Sequence, residues 1–258
     1  MKLLTVIRDR FHPLWRLRQL RVFRFIQEKL DPDFRCRCEG LSISVKLLRD
    51  ASVILPHGGK ENESRDAFRK AIDDHDIDVF FDIGANVGLY SWGALAKGVK
   101  DIFLVEPDMT NQRLLAKTIH RNQLKNCYLL PFAMSDSVGV AKFFLDKASG
   151  TTGSLEDQSD NDHSLHHAYG VGEWCSVPTL KLDIFTDFVK DRNVLIKIDV
   201  EGAEESVFEG AMNFIQAARP TILVECFDRS RLDVFESMGY IITRLPEEYN
   251  YLLQYKEK

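Results

Sequence analysis

From residue 79 onward, apolar residues fall into short unbroken runs, each followed by a stretch with helical spacing. Val79-Phe80-Phe81, Ile102-Phe103-Leu104-Val105 and Ile222-Leu223-Val224 are such runs. A run that is apolar on both faces suits a strand buried within a parallel sheet. This pattern predicts strands at 79–83, 102–106, 127–133, 194–199, 221–226 and 240–244. It predicts helices at 88–97, 109–122, 183–190, 204–217 and 230–238. Alternation of this kind implies an α/β fold, a mostly parallel sheet with helices on both faces. The run Tyr249 to Tyr255 is expected to return as an antiparallel edge strand, the seventh of the sheet.

The first 75 residues follow another pattern. Pro13 suits a first helical turn, and Leu14 to Leu30 continues without Gly or Pro. Asp31-Pro32-Asp33 ends that helix. Residues 34–55 alternate loosely, as in a small sheet, and Ala67 to Ile72 forms a short helix. The expected division is a basic helix and small β appendage at 1–75, then the main domain at 76–258. Lys147 to Trp174 breaks the alternation with Ser, Asp, Gly and His. So long a polar stretch in a compact domain reads as a lid or binding loop.

Charge sharpens this division. The chain carries −5 overall, which gives no global drive toward nucleic acid. Residues 1–24 hold seven Lys and Arg against Asp9, hence +6, which leaves −11 for the remainder. Such asymmetry marks an interaction arm. Trp15, Phe23 and Phe25 lie among or beside the arginines, so contact with anionic lipid is one reading of the helix. A packed cap with a solvated basic face is another, and nucleic-acid binding is the weakest, because no aromatic stacking platform or basic strand follows. Cysteines at 36, 38, 127, 175 and 226 form no secreted disulfide framework, and Cys36-x-Cys38 lacks the second pair of a zinc site. No apolar stretch approaches the ~18 residues of a membrane span. The expected setting is cytoplasmic, with membrane association through the basic helix.

The most informative segment is Asp82-Ile83-Gly84-Ala85-Asn86-Val87-Gly88, directly after the first core strand. A strand that enters a helix through a Gly-rich turn brings backbone N–H groups up to a ligand. Glu106, at the end of the next strand, offers an acceptor for a ribose diol. A dinucleotide and S-adenosylmethionine both fit that outline. In the dinucleotide fingerprint G-x-G-x-x-G, the central position is glycine. Here it is Asn86, and Asp82 would repel a pyrophosphate. S-adenosylmethionine has no phosphate, and Asp82 suits its ammonium.

The motifs D-I-G-A-N-V-G at 82–88, E-P at 106–107, A-M-S-D at 133–136, T-L-K-L-D at 179–183, K-I-D-V-E-G-A-E at 197–204 and L-V-E at 223–225 together resemble the FkbM-type methyltransferases. The resemblance spans about residues 76–245. It implies a Rossmann-like class I methyltransferase fold, S-adenosyl-L-methionine as cofactor, and O-methylation of a hydroxyl on a sugar, glycan or related small molecule. It places Asp82, Gly84, Asn86 and Gly88 in the cofactor loop, Glu106 on the ribose, and Ser135 and Asp136 beside the adenine. In open α/β sheets ligands sit beyond the carboxyl ends of the strands, where each of these residues falls.

Lys197, Asp199 and Glu201 form a second group. Strand alternation puts them on one face, with Ile196, Ile198 and Val200 on the other. Ionisable groups at the end of a buried strand are costly unless paired or used. They are therefore the candidate catalytic residues, with an internal salt bridge or a metal at Asp199 as the competing readings. Glu204 falls early in the next helix, where the macrodipole favours a carboxylate. Glu225 would lie beside the group. His163, His166 and His167 fall in the polar loop without a metal-binding motif, so no metal is expected. Rival functions are N-methylation, RNA ribose methylation, or a cofactor-binding interaction module without catalysis. The acidic body argues against a nucleic-acid partner.

Overall fold

The computed structural model describes residues 30–54, 62–146, 153–155, 172–246 and 249–256. The basic helix expected over 14–30 lies outside these residues, except for Leu30. So does most of 147–174, including all three loop histidines.

The chain begins with an antiparallel hairpin, β1 (Asp33–Cys38) and β2 (Leu41–Lys46), and the helices α1 (Ala51–Ile54) and α2 (Asn62–His75). The main domain then runs β3 (Val79–Ile83), α3 (Leu89–Ala96), β4 (Asp101–Val105), α4 (Met109–Arg121) and β5 (Cys127–Leu130). It resumes at β10 (Val194–Ile198), after a smaller sheet. Next come α5 (Glu204–Glu209), α6 (Met212–Ala218), β11 (Thr221–Glu225), α7 (Asp233–Ser237), β12 (Tyr240–Arg244) and β13 (Asn250–Tyr255). Seven strands form one sheet in the order β12-β13-β11-β10-β3-β4-β5. All adjacent pairs from β11 to β5 are parallel, and β13 is antiparallel to both neighbours.

Burial on both faces explains the unbroken apolar runs. One face carries Phe81, Ile83, Ile196, Ile198, Ile222 and Val224, packed against Phe208 and Phe214. The other carries Phe80, Ile102, Leu104, Leu195 and Leu223, packed against Trp92, Leu114 and Leu115. The hairpin joins this second face. Ile43 and Val45 are fully buried in it, and the Ser44 N–H donates to Thr118 Oγ1 of α4 at 2.9 Å.

Several elements differ from the sequence expectation. The sheet has the expected seven strands, mostly parallel with an antiparallel C-terminal strand, but β13 is an inner strand between β11 and β12, not the edge. Burial decides this, since Tyr251 and Leu253 of β13 are buried while β12 is largely exposed beyond Tyr240. The strand expected over 127–133 ends at Leu130. Pro131 lacks an N–H and restricts the residue before it. The chain then enters a second sheet as β6 (Ala133–Met134). With β7 (Gly139–Asp146), β8 (Ser154–Leu155) and β9 (Gly172–Leu180) this sheet has the order β6-β9-β7-β8. The helix expected over 183–190 is a 3₁₀ turn, Leu182–Phe185, followed by further turns. There the Thr186 hydroxyl takes the Asp183 carbonyl at 2.7 Å, and the Asp183 carboxylate accepts the Phe214 N–H at 2.9 Å. Side chains thus compete with the helical ladder. The helix expected over 204–217 breaks into α5 and α6 around Gly210. A Cβ on Gly210 would lie 1.9 Å from the Ser135 carbonyl oxygen, so the break lets the chain after β6 pass. The last expected helix, 230–238, is a 3₁₀ turn at Arg229–Leu232 followed by the short α7.

Candidate active site

The carboxyl ends of β3, β4, β10 and β11 converge on one edge of the sheet. After β3 the chain turns through Gly84 and Gly88 into α3. Gly84 has φ +78°, and a Cβ there would sit 1.9 Å from the carbonyl oxygen of Asp199. The turn after β3 and the turn after β10 therefore touch backbone to backbone, joined also by the Asp199 N–H donating to the Ile83 carbonyl at 3.1 Å. Gly88 has φ +83° and lies under the Trp92 indole, which a Cβ would meet at 2.6 Å. The indole N–H donates to the Val87 carbonyl at 2.8 Å and pins the turn. Between them Asn86 takes a left-handed φ of 52°, which asparagine tolerates better than most residues.

Asp82 is buried beneath this turn. Its Oδ2 accepts from the Ser91 N–H at 3.1 Å and the Ser91 hydroxyl at 2.6 Å. Its Oδ1 is buried without a hydrogen-bond partner, as is Oδ1 of Asn86. Burial raises the Asp82 carboxyl above the ordinary range, against the opposing pull of Lys197 and Ser91.

Lys197 stands in register with Asp82 on the neighbouring strand. Its Nζ donates to Asp199 Oδ2 at 3.0 Å and to the Gly84 carbonyl at 3.4 Å, and lies 4.0 Å from Asp82 Oδ1. It also sits 5.1 Å from the Tyr90 ring centroid. Burial works against its charge, but Asp199 and Asp82 outweigh that and hold the ammonium above the usual lysine range. Asp199 is less enclosed, its side chain 32% exposed.

Glu201 occupies a left-handed turn, φ 53°. Its carboxyl is raised well above the ordinary value by desolvation, then by the charges of Asp199, Glu225 and Glu204. Glu204, almost fully buried, accepts the Gly202 N–H at 2.7 Å and lies 3.3 Å from Arg231 Nη1. Arg231 also donates to the Gly202 carbonyl at 3.1 Å and so clamps the turn.

Glu106 is buried at the end of β4. Its Oε2 accepts the Asn86 N–H at 2.7 Å and its Oε1 the Asp108 N–H at 2.8 Å. Ser135 and Asp136 belong to a different contact. The Ser135 N–H donates to the Leu180 carbonyl at 2.9 Å, its hydroxyl lies 3.1 Å from Asp136 Oδ1, and its carbonyl packs on Gly210. The expected residues thus form one network of Asp82, Gly84, Lys197 and Asp199, a linked pair of Asn86 and Glu106, and a separate segment at 135–136.

Sequence reasoning missed Ser91, Tyr90, Arg231 and Arg49. Buried Arg49 donates to Asn111 Oδ1 at 2.6 Å and pairs with Asp50 at 2.7 Å. The charges of Asp50, Asp108 and Glu106 act on it. Spacing after the glycine turn could have flagged Ser91, which lies nine residues beyond Asp82. No motif signals Arg49 or Arg231. Among the described residues, no group of three or more His, Cys, Asp or Glu is arranged to hold a metal ion. No described helix is long and apolar enough to cross a membrane.

Strand order and Gly-rich turn together define a Rossmann-like cofactor-binding domain. The chain belongs to the FkbM methyltransferase family, whose domain profile matches residues 82–253. The matched domain is accordingly that of an S-adenosylmethionine-dependent methyltransferase. Among solved structures, the FkbM methyltransferase of Methylobacillus flagellatus is 19% identical with a TM-score of 0.46, covering 69% of this chain and 43% of that one. TYW2 of M. jannaschii, solved in complex with AdoMet, is 13% identical with a TM-score of 0.42, covering 86% and 84%. The tRNA m1G37 methyltransferase of M. jannaschii is 14% identical with a TM-score of 0.44, covering 89% and 59%. No curated protein matches the chain.

Glu106 gives a prediction on stability. Burial comes first among the causes that push its carboxyl from 4.5 up to about 8. A raised acid favours the folded state while protonated. Its contribution is therefore present below the ordinary value and is lost as pH rises through the folded one. Glu106→Gln carries no such proton. Its melting temperature should gain on that of the wild type as pH rises from 4.5 to about 8. A difference that does not change with pH would overturn this.

Proposed function

We propose that the chain transfers the methyl group to a hydroxyl oxygen of a neutral sugar, glycan or related small molecule. The observation that carries this reading is the half-exposed Asp199 carboxylate, held by Lys197 in backbone contact with the cofactor loop. The residues present suit the cofactor. Asp82 Oδ1, buried without a hydrogen bond and 4.0 Å from Lys197 Nζ, is an acceptor for its ammonium, Asn86 Oδ1 is a second buried acceptor, and Glu106 is the ribose-side carboxyl. When bound, S-adenosylmethionine supplies an electrophilic methyl on a sulfonium. Asp199 accepts the proton that the acceptor hydroxyl gives up, a role worth about 10²–10⁴ in rate for a well-placed base. Lys197 fixes the orientation of that carboxylate. Glu201, with its raised carboxyl, exchanges a hydrogen bond with the same hydroxyl or its neighbour.

Charge favours a neutral acceptor. Asp199, Glu201 and Glu225 gather where Lys197 and Arg231 are the nearby cations, and Arg231 is committed to Glu204 and Gly202. A polyanion such as RNA would meet like charge there. Phe227, two residues beyond Glu225, is 42% exposed and its ring lies 4.8 Å from that of Tyr249. An apolar ring beside carboxylates matches the alternating CH and OH surface of a sugar.

The test is methyl transfer from labelled cofactor to a panel of neutral sugars, phosphorylated sugars, amines and RNA. Neutral hydroxyl acceptors should be methylated and anionic ones not. In the same assay, run at a pH above the raised Glu106 value of about 8, Glu106→Ala should need at least tenfold more cofactor, as loss of charge-assisted bonds worth about 1.5–3 kcal/mol each implies. Turnover confined to amines or RNA would refute the acceptor class. An unchanged cofactor requirement in Glu106→Ala would refute the ribose role.

A further inference from the structure

A concave surface lined by none of the candidate site residues lies between the hairpin and α4. Asp33, Phe34, Arg35 and Ser44 form one wall, and Arg113, Lys117, His120 and Arg121 of α4 form the other. The groove has a volume of about 680 Å³. Arg113, Lys117 and Arg121 recur every four residues, so they stack on one helix face over about 12 Å. Like charges at this spacing repel.

Neutralisation within the groove is incomplete. Asp33 is its one carboxylate, and Arg113, Lys117 and Lys46 already share it. Arg121 donates to the neutral Ser44 hydroxyl at 2.7 Å. Arg35 and His120 have no side-chain partner among the described residues. The groove therefore holds four fixed cations against one acid, on a chain whose net charge is −5.

Two further facts choose the occupant. Phe34 of the groove lining is 39% exposed, and Leu30, three residues before Asp33 in the chain, is 68% exposed. Residues 1–24, with seven Lys and Arg against Asp9, precede this hairpin in the sequence. Cations interleaved with exposed apolar groups fit a headgroup layer and its acyl boundary. A free phosphate would use the cations but not the apolar groups. RNA would call for an aromatic stacking platform, and among the described lining residues only Phe34 and His120 carry rings, too few for successive bases.

We propose that this groove docks the chain on an anionic lipid surface, with Arg35, Arg113, Lys117 and Arg121 taking headgroup phosphate oxygens and Leu30 and Phe34 entering the boundary layer. Docking here would bring up the N-terminal end of α4, which follows Glu106 at the cofactor edge.

The experiment is co-sedimentation of the full chain with phosphatidylcholine vesicles, with and without phosphatidylserine, at low and high salt. The full chain should sediment with the anionic vesicles alone and be released by salt. Arg35→Gln with Lys117→Gln should weaken binding about 30-fold, since each basic residue at such a surface is worth about 1 kcal/mol. Lys190→Gln, in a turn before β10, should bind as the wild type does. Arg35→Gln alone, which removes no hydrogen bond or ion pair among the described residues, should weaken binding about fivefold. S-adenosylhomocysteine affinity is measured on each variant as proof of folding. Equal binding to neutral vesicles, or double-variant binding equal to the wild type, would overturn the proposal. So would binding of inorganic phosphate or single-stranded RNA through these residues without binding of vesicles.

Discussion

Asp199→Asn is expected to lower turnover by about 100-fold or more while leaving cofactor affinity and melting temperature nearly unchanged. The amide keeps the shape and can still accept from Lys197, whose Nζ lies 3.0 Å from Asp199 Oδ2. What it loses is the capacity to accept a proton. The side chain is 32% exposed, so little burial is disturbed. Single-turnover methyl transfer with saturating cofactor, alongside thermal melting and titration with S-adenosylhomocysteine, separates the effects. A fall in melting temperature that tracks the loss of rate would mark Asp199 as a structural ion-pair partner. Near-wild-type turnover would remove it from the chemistry altogether.

The second large effect concerns Gly84. Gly84→Ala puts a methyl 1.9 Å from the Asp199 carbonyl oxygen, at a backbone φ of +78°. The strained conformation costs roughly 1–2 kcal/mol, and forcing the two turns apart costs roughly 1–3 kcal/mol more. Gly98 supplies an internal control, since it has φ +87° with nothing within 4 Å of its Cβ position. Gly98→Ala therefore reports strain alone, and the difference between the two variants reports the close approach. Gly84→Ala should melt several degrees below Gly98→Ala and lose most of its S-adenosylhomocysteine affinity. Equal melting temperatures would mean that the turns separate at no cost.

Much of this organisation was legible in the sequence, for identifiable reasons. Strands β3, β4, β10 and β11 are buried on both faces, so their apolar runs stand out from the flanking polar residues. The glycine turn was legible because left-handed φ and close approach leave little choice of residue at 84 and 88. Periodicity put Lys197 and Asp199 on one face, and the 3.0 Å bond between them follows from it. Where periodicity failed, a local event outweighed it. Pro131 diverted the chain into the small sheet, and Gly210 split a continuous helical pattern to admit the Ser135 carbonyl. Neither event alters the hydrophobic pattern: Pro131 acts through its own ring, and the constraint on Gly210 comes from Ser135, dozens of positions away. Arg49 and Arg231 stayed hidden for the same reason. The contact of Arg49 with Asn111 and that of Arg231 with Glu204 are set by the fold, and an arginine carries no periodic signature.

The contact between Gly84 and the Asp199 carbonyl also has a mechanical meaning. Two loops that meet backbone to backbone, with no side chain between them, have no soft element to absorb relative displacement. They shift together or stay put, so the spacing between the glycine turn and the Asp199 backbone is held by the sheet beneath them. Admission and departure of an acceptor have to be accommodated by other parts of the chain than these two loops.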